Sequence, residues 1–440
     1  MRTTLDLICD LAAMPAPALP AAARRLAGFS LFDQMVCGIA ADAEPVARAL
    51  RSYVAAEGSR GQASLIGGGL AAPRAAALAN GTASHALDYD DTHFAHIGHL
   101  AVGIGPAALA VGEETGQGAD AVIDAFLLGA EAAIRAGLHL GAAHYDRGFH
   151  QTATAGAFGA TVAAGRLYGL SREAMIRAIG LCSSRASGLK NQFGTMGKPL
   201  NAGLSAANGV ECAGLALAGL TSADNGFDGP LGFVATHADQ PDPARAHAPA
   251  PGQFLFTDIR YKLHACCHGT HAMIEALRLQ IAEHSLTRDQ VAKVALRTSP
   301  RWLNVCDIRE PRTGLEVKFS YVWLAGMVLG GIPTGSDQSF SDSCAGDPAL
   351  AAFARQVEVT GDPGVGEMQA AGEIVLKTGE RLALSWDLAA PVPDDSLAAS
   401  LRAKAIALIG AQRADALWQA IEGASLRSAR DLGALIRAPA

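Results

Sequence analysis

The segment ADAVIDAFLLGAEAAIRAGLHL, residues 119–140, sets the fold class of this chain. Alanine, leucine and isoleucine dominate it, and its apolar residues recur with the period of a helix. Three neighbouring segments have the same character and end near glycine or serine: Ala101–Thr115, Thr152–Leu170 and Arg172–Ser187. Because small side chains let helix axes approach closely, we predict a bundle of packed helices between Leu19 and about Leu220, and not a sheet protein.

Alternating polar and apolar residues appear only later, which predicts a second, smaller domain. Val291–Arg297 and Gln356–Val359 have the pattern of strands, and Glu373–Leu376 and Arg381–Leu384 flank a plausible hairpin turn. Leu397–Ile421 returns to a helical pattern. The predicted fold is therefore mainly α, with an all-α domain over residues 1–256 and 392–440 and an α+β domain over residues 257–391.

The bulk composition argues against several functional classes. Only 18% of the 440 residues are charged and the net charge is −7, so there is no basic surface for nucleic acid or anionic lipid. Apolar runs are shorter than the about 20 residues that span a bilayer. The acidic start of the chain does not resemble a signal peptide, and the eight cysteines form no disulfide pattern. We expect a cytoplasmic protein that binds neither nucleic acid nor membranes.

A cluster of ionisable residues at 85–99, HALDYDDTHFAHIGH, stands out from its apolar surroundings. It contains four histidines and three aspartates, which are costly to bury unless they are paired or functional. If Thr82 or Ser84 opens a helix there, Asp88 and Thr92 lie one turn apart on one face. Such an arrangement, followed by His99, would suit a pocket that moves protons.

Three further segments place single basic residues in loops. His150 precedes a helix, Lys198 lies in a glycine-bounded loop, and Lys262 lies in the basic segment Tyr261–His271. A plainer interpretation stays open for two of them, since His150 could cap a helix and Lys198 could be a solvated loop lysine. Asp90 is similarly interpreted as solvent-facing or structural.

Metal and nucleotide sites are weaker alternatives. The group His264, Cys266, Cys267, His268 and His271 matches no standard zinc spacing, and His93, His96 and His99 lack a His-Glu-x-x-His pattern. The glycines at 67–69 follow no clear strand and lack Gly-x-Gly-x-x-Gly spacing. We therefore predict no metal ligands and no cofactor.

Taken in order, these segments resemble the MmgE/PrpD family. The similarity is carried by HALDYDDT with Gly98-His99, Gly148-Phe149-His150, GTMGKPLNAG at 194–203, Lys262–His271 and Lys318-Phe319-Ser320. The resemblance implies an all-α domain built from both chain ends, an inserted α+β lid domain, a homodimer, and neither a metal nor an organic cofactor. Its members act on small di- and tricarboxylic acids.

The resemblance also assigns the site residues. Carried over to this sequence, the family's pocket falls on six residues: His99, Asp88, Thr92 and Lys198 as catalytic residues, and His150 and Lys262 as substrate-binding residues. Tyr321 is a further candidate for substrate binding. This chain has His99-Leu-Ala where the family often has His-Pro-Ser, and Asn201 where Lys-Pro-Leu-His is common. Decarboxylase-like members carry a tyrosine at the position of Trp323, two residues after Tyr321, which weakens a decarboxylase assignment.

We therefore expect a hydro-lyase that removes a proton next to a carboxylate of a small di- or tricarboxylic acid. His99 would transfer the proton, because an imidazole exchanges protons near neutral pH. Asp88 and Thr92 would orient it or hold a leaving hydroxyl. Lys198, His150 and Lys262 would hold the substrate carboxylates as cations. The alternatives are an epimerase of an iminodisuccinate-like dicarboxylate, a cis-aconitate-type decarboxylase and, from another class, a non-catalytic carboxylate-binding protein.

Overall fold

A computed structural model describes residues 2–248 and 252–438 of the chain. The chain divides into two compact units, one formed by Met1–Tyr261 with Ile409–Ala440 and the other by Lys262–Leu408. The predicted mainly α fold is confirmed, because the sequence from both chain ends forms a helical unit and the inserted sequence carries the larger sheet. Among the described residues, no helix combines the length and the apolar character needed to span a bilayer.

Helices are the main elements of the first unit. A two-stranded hairpin of β1 (Ala63–Ser64) and β2 (Leu70–Ala71) interrupts them. The helices before the insertion are α1 (Thr4–Ala13), α2 (Ala21–Ala40), α3 (Pro45–Ala56), α4 (Pro73–Ser84), α5 (Ala101–Thr115), α6 (Ala119–Asp146), α7 (Thr154–Leu167), α8 (Arg172–Ser183), α9 (Gly197–Leu217), α10 (Phe233–His237) and α11 (Pro243–His247).

The periodic segments of the sequence coincide with these helices, apart from their ends. α5 has the predicted bounds, and Ser171 caps α8 by accepting a hydrogen bond from the backbone N–H of Ala174. α6 runs beyond the predicted end at Leu140, and its backbone is not helical at Gly141, where φ is 74°. The apolar pattern stops at that glycine, which is why the sequence predicts a shorter helix.

Helix α4 lies against α9 in backbone-to-backbone contact, and this contact positions the segments that follow α4 and precede α9. A Cβ on Gly81 would lie 2.9 Å from the Cα of Gly203. A Cβ on Gly203 would overlap the carbonyl oxygen of Leu78 and the hydroxyl of Thr82. Protein interiors have little free volume, so only glycine fits between these two helices.

The second unit contains a four-stranded sheet with the order β4-β3-β5-β6. β3 pairs in parallel with β4 and antiparallel with β5, and β5 forms the predicted antiparallel hairpin with β6. The strands are β3 (Val291–Thr298), β4 (Val357–Gly361), β5 (Gln369–Leu376) and β6 (Arg381–Asp387). The parallel pair requires a long crossover, which five helices provide. The helices of this unit are α12 (His271–His284), α13 (Pro300–Cys306), α14 (Gly314–Val317), α15 (Tyr321–Leu329), α16 (Asp342–Ala345), α17 (Pro348–Ala354) and α18 (Asp394–Ile409).

The core of the second unit lies between its sheet and helices. α12 packs on β5 and β6, and α15 packs on α12 and α17. Tyr321, Trp323 and Met327 of α15 are all buried in this core. After α18 the chain returns to the first unit with α19 (Ala411–Glu422) and α20 (Ala429–Ile436).

The boundaries of the two units differ from the predicted ones at both ends of the insertion. Residues 257–261 belong to the helical unit, since Tyr261 donates a hydrogen bond to the carbonyl of Leu26 and Arg260 pairs with Thr92. Residues 392–408 belong to the second unit. The sequence predicts one helix from Leu397 to Ile421, but the chain breaks at Gly410, where φ is 79°, and forms two helices. Composition alone does not reveal which unit a helix joins.

The close contact of α4 with α9 predicts opposite effects for two glycine-to-alanine substitutions in α9. Gly203→Ala should lower the free energy of unfolding by about 1–3 kcal/mol, because the new methyl group has no room. Gly214→Ala is the matched control, since nothing lies within 4 Å of a Cβ there, and it should raise stability by about 0.5–1 kcal/mol. Urea denaturation followed by circular dichroism measures both, and equal effects would contradict the packing argument.

Candidate active site

Residues 85–100 connect α4 to α5 as an irregular segment. The predicted helix is wrong here, because Thr82 and Ser84 lie at the end of α4 and do not begin a new helix. Asp88 has a left-handed backbone, with φ of 52°, a conformation that aspartate adopts more readily than most residues. Asp88 and Thr92 therefore do not share a helical face.

Thr92 is held mainly through its backbone. It exchanges two backbone hydrogen bonds with Arg260, with N···O distances of 2.7 and 2.9 Å. Its hydroxyl oxygen is buried and has no hydrogen-bond partner among the described residues. This placement favours a role for Thr92 in fixing the segment, whereas its predicted catalytic role stays a prediction.

Asp91 fixes the start of α5 and the ring of His99 at the same time. Its carboxylate accepts hydrogen bonds from the backbone N–H groups of Leu100 (3.1 Å) and Ala101 (3.2 Å). Its carbonyl oxygen lies 2.6 Å from Nδ1 of His99. Burial, together with the neighbouring charge of Asp90, raises the pKa of Asp91 to about 8.

A buried carboxylate lies between two imidazoles in the middle of the segment. Oδ1 of Asp90 lies 2.8 Å from Nδ1 of His85, and Oδ2 lies 3.0 Å from Nδ1 of His99. Asp90 is completely buried, so its interpretation as a solvent-facing residue is wrong. Neither His85 nor Asp90 is among the site residues predicted from the sequence. The spacing of a histidine five residues before an aspartate gave no signal that the two side chains meet.

These contacts fix the protonation of the two imidazoles. Burial alone would raise the pKa of Asp90, but the two facing imidazoles outweigh it and hold the pKa well below its usual range. Burial lowers the pKa of His85 to about 4, which makes His85 neutral at pH 7. Since Nδ1 of His99 faces two oxygen acceptors, it carries the proton and leaves the lone pair on Nε2.

Asp88 and Lys198 form an ion pair next to His99. Nζ of Lys198 lies 2.8 Å from Oδ1 of Asp88, and the same oxygen lies 3.9 Å from Nε2 of His99. The side chains of Lys198, Asp88 and His99 are 17%, 24% and 12% exposed, so all three are partly accessible to solvent. Lys198 lies in the first turn of α9, where the helix dipole disfavours a cation and favours a bound anion.

His150 is held beside His85 by a pairing between the loop before α7 and the loop before α9. Its backbone N–H donates to the carbonyl of Gly188, and Phe149 bridges to Leu189. The ring of His150 lies 6.2 Å from that of His85 and 5.0 Å from that of Phe193, measured between centroids. Burial lowers the pKa of His150 well below its ordinary value, and His85 and Lys198 add to the shift. A neutral ring favours a role for His150 as an uncharged group, whereas its predicted role as a substrate-binding cation stays a prediction.

Two of the predicted site residues, Lys262 and Tyr321, belong to the second unit. Lys262 is buried in the loop before α12. The hydroxyl of Tyr321 donates to the carbonyl of Gly269 at 2.8 Å and lies 3.0 Å from the hydroxyl of Thr298. These internal partners favour a structural role for Tyr321 over the predicted contact with substrate. Trp323 is also buried, and its indole N–H donates to the carbonyl of Cys344.

One group among the described residues has the composition of a metal site. It comprises His85, Asp88, Asp90 and His99, with candidate ligand atoms within 4.8 Å of one another. The donor set fits a metal poorly, because both oxygens of Asp90 face imidazole Nδ1 atoms and the ammonium of Lys198 is already paired with Asp88. A hydrogen-bonded network explains these residues better.

The two metal alternatives raised by the sequence have no support in the geometry. Both ring nitrogens of His264 are engaged, at 2.6 Å from Oε1 of Glu275 and 2.8 Å from Oγ1 of Thr334. Nδ1 of His93 accepts from the backbone N–H of His96, and its Nε2 lies 2.9 Å from the carbonyl of Leu255. These histidines are therefore components of the interior of their units.

The neutral state of His85 predicts a specific pH dependence of stability. An imidazole with a pKa of about 4 when folded and about 6.5 when unfolded lowers stability as the pH falls below 6.5, because only the unfolded chain takes up the proton. Between pH 7 and pH 5, wild type should lose about 2 kcal/mol more than His85→Gln. Comparing the two proteins cancels the opposite contribution of Asp91, whose raised pKa favours the folded state at low pH.

Urea denaturation of both proteins at pH 7 and pH 5 measures this difference. A smaller loss for wild type than for His85→Gln would mean that Asp90 keeps His85 charged as an ion pair.

Comparisons with known proteins agree with the resemblance seen in the sequence. The family model of the MmgE/PrpD N-terminal domain matches residues 10–246, and that of the C-terminal domain matches residues 264–390. Cis-aconitate decarboxylase-like protein oryM of Aspergillus oryzae is 30% identical over 280 residues, covering 59% of this chain and 57% of that protein. The cis-aconitate decarboxylase of Aspergillus terreus is 31% identical over 220 residues, covering 47% and 45%.

The human cis-aconitate decarboxylase is 29% identical over 282 residues, which cover 60% of this chain and 57% of the human protein. The chain thus spans about half the length of the curated relatives it matches. The two family models together extend over most of the sequence and over both structural units. On these grounds, the chain belongs to the MmgE/PrpD family.

Proposed function

We propose that this protein is an enzyme, a lyase that acts on a small di- or tricarboxylic acid through its own side chains. The observation that carries the proposal is the group around His99. A proton-transferring imidazole, an acidic side chain and a lysine meet at one accessible place, and a buried carboxylate lies behind the imidazole. The names of the relatives support a carboxylic acid as substrate, since those proteins are cis-aconitate decarboxylases.

His99 is the residue that transfers the proton in this proposal. Its Nδ1–H is held by the carbonyl of Asp91 and faces Asp90, so the lone pair of Nε2 is available to remove a proton from the carbon next to a carboxylate. The charge of Asp90 stabilises the imidazolium that forms. This is the arrangement by which a carboxylate orients a catalytic histidine in many enzymes.

Lys198 and Asp88 complete the chemistry. Loss of a carbon-bound proton builds negative charge on a substrate that is already an anion, and a fixed cation lowers the energy of that state. Lys198 can exchange its contact with Asp88 for one with a substrate carboxylate. Asp88, released from Lys198 and near Nε2 of His99, can then accept a hydrogen bond from a leaving hydroxyl group and hold it beside His99.

Elimination of water is the reaction that this arrangement supports best. Dehydration needs a base for the carbon-bound proton and an acid for the departing hydroxyl. His99 can act as both in turn, because the imidazolium that forms when it takes the carbon-bound proton can pass that proton to the hydroxyl held by Asp88, which leaves as water. Decarboxylation is the second candidate, because the relatives carry that name. It needs a proton donor only after carbon dioxide has left. Decarboxylase-like members of the family have a tyrosine where this chain has Trp323, which lacks a hydroxyl group, and this difference weakens the second candidate.

Purified protein should convert at least one acid of a panel containing citrate, 2-methylcitrate and cis-aconitate. Proton NMR in heavy water distinguishes the reactions. Dehydration produces an alkene, decarboxylation yields a product that has lost carbon dioxide, and epimerisation exchanges the carbon-bound proton for deuterium without producing an alkene. His99→Gln should lower the rate by about 10²–10⁴, the usual contribution of general acid–base catalysis. Retained turnover in this variant would reject His99 as the proton-transferring residue.

Two lysines in neighbouring positions allow a charge-matched comparison. Lys198→Met should lower kcat/KM by at least about 10²-fold, because the anionic substrate loses its fixed cation. Lys190→Met removes the same charge from the loop that precedes α9, but Lys190 donates to the carbonyl of Tyr145 and lies over its ring, so activity should stay within about twofold. Equal losses in the two variants would point to the net charge of the loop and not to a contact by Lys198.

A further inference from the structure

Asn201 links the two loops of the site through one nitrogen atom. Its side-chain Nδ2 lies 3.3 Å from the carbonyl oxygen of Leu189 and 3.2 Å from Nδ1 of His150. Asn201 and His150 are only 4% and 2% exposed, so water does not replace these contacts. Asn201 lies in α9, close to one turn after Lys198.

The Leu189 carbonyl fixes which end of the amide faces the loops. A carbonyl oxygen only accepts hydrogen bonds, so the atom of Asn201 that lies beside it must be the NH₂ group and not the amide oxygen. The second hydrogen of that NH₂ group then meets Nδ1 of His150. A nitrogen that receives a hydrogen bond cannot itself carry a proton, and the proton of a neutral His150 is therefore on Nε2.

We infer that Asn201 is a positioning residue that holds His150 as a neutral imidazole protonated on Nε2, so that His150 serves as an uncharged hydrogen-bond donor. The protonation state follows from the contacts of Asn201 alone. That the acceptor is an oxygen of a carboxylic acid substrate rests on the proposed function.

The surroundings of His150 agree with an uncharged ring. The groups whose charges act on it are His85, Lys198, His99 and Asp88, and the cation among them, Lys198, opposes a second positive charge. Burial lowers the pKa of His150 in the same direction. Since Asn201 engages Nδ1, the N–H that the ring can offer to a ligand is the one on Nε2.

The residue type at position 201 determines how firmly this state is held. The family commonly has a histidine here, and an imidazole can donate or accept according to its tautomer. The NH₂ group of asparagine only donates. In this chain His150 therefore cannot compete with His99 for the substrate proton, and its donor hydrogen does not change with pH near neutrality. A fixed neutral donor suits an oxygen that gains negative charge during the reaction.

Nitrogen NMR of the full-length protein tests the inference without a substrate. With ¹⁵N-labelled histidine, long-range proton–nitrogen spectra at pH 7 distinguish protonated from unprotonated ring nitrogens, and His150→Gln identifies the signals. The expected result is a protonated Nε2 and an unprotonated Nδ1. A proton on Nδ1, or on both nitrogens, would overturn the inference. Because no substrate is present, a failure to find turnover with any acid would count against the proposed function only.

Two asparagine-to-aspartate variants in α9 test the role of Asn201. Asn201→Asp replaces the donor by an acceptor, so the proton of His150 should move to Nδ1. Asn208→Asp is the control, because Asn208 contacts Arg185 and the spectrum of His150 should not change. If substrate turnover is found, kcat/KM of Asn201→Asp should fall about 10- to 100-fold, as expected for one misdirected hydrogen bond. An unchanged tautomer in a folded Asn201→Asp would show that Asn201 does not set it. If that variant does not fold, the wild-type spectrum still decides.

Discussion

The carboxylate of Asp90 is the group on which the site depends. A charge without solvent contact is strongly unfavourable unless donors surround it, and the irregular segment between α4 and α5 places the Nδ1 atoms of His85 and His99 around this one. The same contacts leave Nε2 of His99 facing the accessible side. The cost of burying one carboxylate is thus offset by interactions that also determine which nitrogen of His99 can react.

A second constraint is the separation of neutral from charged groups. Burial keeps His85 and His150 neutral at pH 7, whereas the charges of Asp88 and Lys198 remain partly exposed and paired with each other. Under the proposed function, a substrate that carries several carboxylates would meet the ammonium of Lys198 and the neutral N–H donor of His150. Because Lys198 carries the positive charge, the carboxylate that it binds would mainly set the position of the substrate.

How much of this the sequence could predict depends on whether a feature is local. The period of apolar residues locates α5 and the strands of the hairpin, since side-chain burial alone produces those patterns. Nothing local shows that Asp88 adopts a left-handed backbone, that Asp90 is enclosed by two imidazoles, or that Tyr261 is held by Leu26 of another helix. These features arise from contacts between distant positions, and the irregular segment has no period from which to infer them.

The positions at which this chain departs from its family are informative only when their contacts are known. Judged by residue type alone, the asparagine at position 201 removes an ionisable group that the family commonly has there. Its contacts show that it also supplies an NH₂ donor, whose direction is fixed by the carbonyl of Leu189. Tryptophan for tyrosine at 323 has the opposite character, because the ring stays in the core and its only polar group donates to Cys344. The first substitution therefore changes the chemistry of a neighbouring imidazole, whereas the second removes a hydroxyl and is otherwise absorbed by packing.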